Sequence, residues 1–263
     1  MKKYFSIFNA TLNEQVQYLA ELLTKFAGFI LMVYIFVNLW QFIYDDPNQI
    51  IKGFTFNMML WYVLIGESYY TAMKNRDLTR NIKEDIMYGN IAYKINKPYM
   101  YPFYQVARYF GNVILKDIAT LIVATSLGLI LIGKLETFDF RFIPLNILVI
   151  VVAFLINAFW RITISMSSFW IEDSEPFLWL FDKALLVCGT VFPIDVYPEM
   201  IQNIIKITPI YSIVYGPTRL IVKFDMNLFQ SVIISQIFQL IFIVTLCMVC
   251  YKKGEKKVNV NGG

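Results

Sequence analysis

The chain contains no histidine. That removes the commonest general base, the commonest metal ligand and every Ser-His or Cys-His catalytic pair. Cysteine is scarce too. Cys188, Cys247 and Cys250 are the whole set, and the last two form a C-x-x-C inside an uninterrupted apolar run. A redox motif of that spacing belongs beside a βαβ pattern, so these thiols read as inert packing. Charged residues make up only 16% of the chain. No G-x-S-x-G occurs, and no internal repeat at a period of roughly 20–50 residues. The stretch "GLILIGKL" at 128–135 nearly matches the phosphate loop G-x-x-x-x-G-K-S/T, but Leu135 stands where the magnesium-holding hydroxyl belongs. It also ends an apolar run and does not join a strand to a helix. The chain shows no ATP site of its own and no carboxylate pair in a polar cleft that reads as acid–base chemistry.

Apolar residues are abundant. Of the 263 residues 58% are hydrophobic and 17% aromatic, with a mean hydropathy of +0.56, far above a soluble domain. A helix crossing a bilayer needs about 20 apolar residues. Six stretches qualify or nearly do: 26–44, 54–73, 113–133, 143–169, 177–194 and 228–251. The expected fold is an all-α membrane protein with six transmembrane helices over 26–251. The opening "MKKYFSIFNATLNEQ" lacks the apolar core and cleavage site of a removable signal peptide, so the first span is expected to be retained.

Loop charge sets the orientation. With the N-terminus in the cytoplasm, thirteen basic residues fall inside and six outside. The inside set includes Lys74, Arg76, Arg80, Lys83, Lys94, Lys97 and the tail lysines, and the outside set includes Lys52, Lys134 and Arg219. Lys25, Lys116, Arg161 and Lys183 lie in or beside the inner halves of spans, where long side chains snorkel. Both termini are therefore expected in the cytoplasm. The net charge of +4 follows from this bias and gives no argument for nucleic acid.

Three features lie outside the spans. Within residues 1–25, Phe5, Phe8, Leu12, Val16 and Leu19 recur at steps of three and four, opposite Asn9, Asn13, Glu14, Gln17 and Glu21. This is an amphipathic helix expected to lie on the inner membrane surface. In the loop 74–108, Asn81 followed by Glu84 reads as a helix start, Ile82 and Ile86 share a face, and Gly89 can end the helix. In the outer segment 194–226, apolar pieces too short to cross are separated by Pro198, Pro209 and Pro217, with Pro193 just before. They read as a re-entrant hairpin shielded by protein.

Four charges sit inside spans: Glu67, Arg161, Asp182 and Lys183. Such charges face the bundle interior or a polar cavity. Glu67 and Arg161 match in depth and sign and are expected to pair. Asp182 and Lys183 point about 100° apart on a helix, so each needs its own partner. Structural ion pairs and a place on a substrate path both remain open.

The order of these features resembles the permease subunit of type-2 ABC transporters, over most of the chain. The resemblance is carried by "IMYGNIAYKINKPYMYPFYQVARYFG" and "FPIDVYPEMIQNIIKITPIYSIVYGPTRLI". More narrowly, the chain is similar to a bacterial exporter-permease subfamily often paired with a second, related permease. The resemblance implies an elbow helix at 4–20 and a coupling helix at 82–88, capped by Asn81 and Gly89, that docks on a separate ATPase subunit. Ile82 and Ile86 would grip that partner, with Lys83, Glu84, Asp85 and Tyr88 completing the contact. It implies re-entrant helices at 198–207 and 210–222, with Pro193, Pro198, Pro209, Tyr211 and Pro217 in an outer gate. It also implies no cofactor on this chain, ATP and magnesium on the partner, a path shared with a second permease amid membrane lipids, and residence in a bacterial cytoplasmic membrane, with residues 252–263 as an inner tail. An intramembrane lipid-modifying enzyme and a structural or immunity membrane protein are the alternatives. Both lack a sequence feature of their own here.

Overall fold

The computed structural model describes residues 2–17, 19–46 and 48–261, and the side chains among them outside 16–26 and 258–261. The expected roles of the Val16, Leu19 and Lys25 side chains and of Gly262 and Gly263 fall outside the described residues.

Helix α1 (Lys2–Gln17) lies against α6 (Tyr101–Leu131). Gly111 of α6 permits the approach: a Cβ there would stand 2.8 Å from Thr11 Cβ and 2.9 Å from the Phe8 carbonyl oxygen. The start of α1 is tied to the chain entering α6. Lys3 donates to the Pro98 carbonyl, and the Met100 N–H donates to Tyr4 Oη at 3.1 Å. The amphipathic pattern is therefore used partly against protein.

Helix α2 (Leu19–Ile43) leads to a feature the apolar pattern does not announce, an antiparallel hairpin of β1 (Ile50–Ile51) and β2 (Phe54–Thr55). Lys52 and Gly53 turn it with φ of 50° and 83°, the two positive values that a tight hairpin turn requires. Thr55 then caps α3 (Phe56–Met73), its hydroxyl accepting from the Met58 N–H at 3.3 Å. Helix α3 is buried almost throughout, the mark of a helix at the centre of a bundle. Helices α2 and α6 pack on it.

Two short helices follow α3, namely α4 (Arg76–Met87) and α5 (Asn90–Ile95), before the chain enters α6. Helix α7 (Ile143–Met166) runs into a 3-10 turn, Ser167–Phe169. Helix α8 (Glu175–Leu185) continues as a π-helix, Leu186–Val191. The broken segment supplies α9 (Glu199–Ile207), a π turn over Tyr211–Tyr215 and α10 (Gly216–Val222). Helix α11 (Met226–Asn261) closes the chain.

Among the described residues three helical stretches are long and apolar enough to cross a membrane, Tyr101–Leu131, Phe140–Phe169 and Met226–Lys257. Ala27–Ile43 is a shorter apolar helix. Helices α3 and α8, which carry Glu67 and Asp182, are not among the three. The described residues thus form an all-α membrane protein apart from one small hairpin.

Most of these prolines stand where they interrupt least. Pro193 precedes a 3-10 turn and Pro198 is the N-cap of α9, positions where no helical N–H is lost, whereas Pro217 lies inside the continuous helical run 209–222, just after its π turn. Pro209 begins the helical run that becomes the π turn. Residues 210–218 are buried under α7 and α11, so this irregular backbone is covered by protein. Helix α9 exposes Met200, Ile204 and Ile207.

Candidate coupling site

Helix α4 begins six residues earlier than the sequence reading placed it. Its cap is Asn75, whose Oδ1 accepts from the Leu78 N–H at 3.0 Å. Asn81 is an interior residue and caps nothing. The apolar seam explains the difference. Leu78 stands four residues before Ile82, so the periodic face starts at Leu78 and the cap must precede it. The end of the helix is where it was expected. Gly89, at φ 74°, takes the left-handed conformation after the Tyr88 C-cap and starts α5.

Ile82 does not project toward a partner. It is fully buried, as is Leu78, and both join a core that includes Ile162 and Met166 of α7 and Phe169 of the following turn. Ile86 is half-buried against the same core. The exposed apolar groups are at the tip: Met87 at 52%, Tyr88 at 78% and Tyr93 at 70%. A helix resting on a larger body must turn its apolar face to that body, and this leaves the tip free.

Lys83, Glu84 and Asp85 of α4 split their work. Glu84 accepts from Arg80 at 2.8 Å on the exposed face. Asp85 turns inward, taking Lys94 Nζ at 2.6 Å and Tyr101 Oη at 2.8 Å, which ties α4 to α5 and α6. Lys83 crosses to another part of the chain and donates to Asp173 at 2.7 Å, in the turn between α7 and α8, and to Glu175 at 3.2 Å, the first residue of α8. Its hydrogen bond to Asp173 leads in raising the Lys83 amine above its ordinary value, and the same bond leads in holding the Asp173 carboxyl below its own. Lys94, Asp173 and Glu175 were not singled out from the sequence, because nothing in their spacing joins them to Asp85 or Lys83.

Between α4 and α8 opens a cleft of about 890 Å³. Arg80, Lys83, Asp173, Glu175 and Trp179 line it, and it reaches Arg161 and Asp182. Arg161 of α7 donates to Asp182 of α8, and both are buried. The expected Glu67–Arg161 pair does not form. Glu67 accepts from Thr71, one turn along its own helix, at 3.2 Å. The competing partner won because α8 folds back beside α7 and sets Asp182 against Arg161. Nor does Arg161 snorkel; it is 1% exposed, and Lys116 is 8% exposed. Lys183 leaves its neighbour's face, as adjacency requires, and lies over the Trp179 ring, 5.8 Å from its centroid. Close by, Asn157 of α7 donates to Tyr109 Oη of α6 at 2.6 Å and to the Met73 carbonyl of α3 at 3.3 Å. These three residues tie three helices together and carry no sequence signal beyond polarity within an apolar run.

Residues 14–262 match the model of a family described as ABC-2 family transporter protein. The chain belongs to this family. It is therefore a permease, a transmembrane component of an ABC transporter and not itself the catalyst, of a kind that associates with ABC ATPase components. No curated protein matches the chain.

At the far end of the permease the π-helix after α8 has a visible consequence. It ends at Val191, and the carbonyls of its last turn have no intrahelical donor and are open to side chains. Trp40 Nε1 of α2 donates to the Val191 carbonyl at 3.1 Å, and Tyr62 Oη of α3 donates to that of Gly189. Gly189 also meets the broken segment closely; a Cβ there would lie 3.0 Å from Val214 and 3.1 Å from Ile210. Within that segment Tyr215 Oη donates to Asp195 at 2.8 Å, and Tyr211 shares a 2.9 Å hydrogen bond with Ser231 of α11. The four prolines thus punctuate a segment held by tyrosines, of which the sequence reading had named only Tyr211.

Proposed function

We propose that this permease is the membrane half of an ATP-driven exporter, coupled to separate ATPase subunits through the loop that carries α4 and α5. Six spans would cross a bacterial cytoplasmic membrane: α2, α3, α6, α7, α8 with its π continuation, and α11. Both termini would lie in the cytoplasm, as the lysine and arginine asymmetry favours. ATP and magnesium would be bound by the partner and no cofactor by this chain. A second permease, identical or homologous, would complete the path within the lipid.

The observation that carries this reading is the tip of α4. Met87 and Tyr88 are exposed at the end of a short capped helix whose opposite face is fixed to the bundle, and Tyr93 is exposed beside them on α5. Exposed aromatic residues on a rigid support are what a docking contact requires. Ile82 and Asp85 would hold the knob in place, and the tip residues would enter the ATPase. The segment with Pro193, Pro198, Pro209, Tyr211 and Pro217 would close the outer exit.

Co-purification tests the reading. The wild-type chain should retain a soluble ABC ATPase. Replacing Met87 and Tyr88 together by serine should release it while membrane insertion is unchanged. Equal retention by both chains overturns the assignment of the tip.

A further inference from the structure

A helix in a loop between two spans is expected to push those two spans. Here α4 leans elsewhere. Its apolar face buries Leu78 and Ile82, and the helix packs on α7 and on the Ser167–Phe169 turn. Its polar edge is held by Lys83 across the cleft to Asp173 and Glu175, at the entry to α8. Deeper in the same cleft, Arg161 joins α7 to α8 through Asp182. The far end of α8 is tied in turn, through Gly189 and Val191, to α3 and α2 and to the broken segment.

Resting on the proposed docking role of α4, we infer that the force α4 receives passes sideways into the α7–α8 hairpin, with Lys83 as the positioning residue that clamps α8 to α4. The physical ground is the kind of contact on each side. Leu78 and Ile82 give an incompressible apolar seat, which transmits a push. Lys83, 19% exposed at its side chain and shared between the more open carboxylates of Asp173 and Glu175, 50% and 64% exposed, gives a link that also transmits a pull. A single exposed ion pair would contribute little. One amine bridging two acids beside a packed seat fixes a direction as well as a distance. Helix α8 then carries the displacement to the segment packed against its π-helical end. Movement of one rigid hairpin against its neighbours is an ordinary way for a transporter to alternate.

Distances between spin labels test this on the permease purified with its ATPase in lipid nanodiscs. The three native cysteines are replaced by alanine, and labelled protein is diluted with unlabelled. One pair, at Asp77 of α4 and Phe42 of α2, reports displacement of α4. A second pair, at Asp77 and Leu180 of α8, reports whether α8 follows. Adding magnesium-ATP should change the first distance and leave the second constant. Lys83→Glu should make the second distance broad and nucleotide-dependent. Lys83→Arg should preserve it, and Lys83→Glu combined with Asp173→Lys and Glu175→Lys should restore it. If α4 moves while α8 stays behind in the wild-type protein, lateral transmission is wrong and the docking role stands. If α8 follows α4 equally well in Lys83→Glu, the clamp is wrong. If α4 does not respond to nucleotide at all, the docking role fails and this inference falls with it.

Discussion

Arg161 and Asp182 meet inside the protein, 21 residues apart in sequence, on two helices that run side by side. A buried pair of this kind is held by attraction and penalised by desolvation. Removing one partner leaves the other as an uncompensated charge. Arg161→Met alone or Asp182→Leu alone should therefore lower stability by about 3–5 kcal/mol. The double replacement should cost far less than the sum, because no charge is then stranded. Thermal unfolding of the four proteins in one detergent gives the cycle, and strict additivity would show that the two side chains do not interact.

The end of α11 is fitted to the turn after α7 in a way that glycine alone permits. A Cβ at Gly254 would fall 2.3 Å from the Phe169 ring, and Phe169 is itself buried. Lys257 Nζ donates to the Phe169 carbonyl at 2.7 Å, one turn further on. Gly254→Ala should destabilise by about 1–3 kcal/mol through overpacking, despite alanine's better helix propensity. Phe169→Leu should recover part of the loss in the double variant and lose stability alone. A stabilising Gly254→Ala in a thermal unfolding assay would show that the helix end is not seated there.

The clamp of Lys83 on Asp173 has a definite pH window. The Asp173 carboxyl is held below its ordinary 3.8, so its contribution is present above that value and lost as pH falls through the lower, folded value. The Lys83 amine is held above its ordinary 10.5, so its contribution is present below that value and lost as pH rises through the higher, folded one. Both shifts point the same way, and the link should be intact from about pH 5 to about pH 9. The α4–α8 label distance should be flat across that range and broaden only in strong acid or strong base. Broadening near pH 7 would assign the link to some other group.

Much of this arrangement was legible in the chain, and the limits have physical causes. Apolar run length gave the helices, because lipid forces each segment to satisfy its own backbone. Gly89 ended α4 as expected, since a left-handed residue is a local requirement. The position of the cap was misread because Asn75 and Asn81 are equally good caps locally, and only the burial of Leu78 separates them. The partner of Arg161 was misread because depth and sign constrain a pair without fixing which helices are neighbours. Asp182 and Glu67 both satisfied the one-dimensional rule, and helix packing chose between them. The hairpin at Lys52 and Gly53 was missed because two-residue strands leave no periodicity to read. The outward role assigned to Ile82 failed for a simpler reason. A two-residue apolar face on a helix is more often an inward face than a contact for a partner.

Ile82 and Tyr88 separate folding from docking within one helix. Ile82 has no exposed surface and fills the seat on α7, whereas Tyr88 is 78% exposed at the tip. Ile82→Ala removes buried methyl groups and leaves a cavity, so it should cost about 2–5 kcal/mol. Any loss of ATPase binding should then follow the loss of folded protein and recover in conditions that restore folding. Tyr88→Ala removes little that is packed, so stability should stay within about 0.5 kcal/mol of wild type. ATPase binding should nevertheless fall at least tenfold, equivalent to about 1.4 kcal/mol of interface free energy, and adding Tyr93→Ala should deepen the loss. Thermal unfolding together with a binding isotherm on the same preparations distinguishes the two effects. A Tyr88→Ala chain that binds its ATPase as tightly as wild type would place the contact on another face of the loop, and the charged edge of Arg80 and Glu84 would be the surface to replace next.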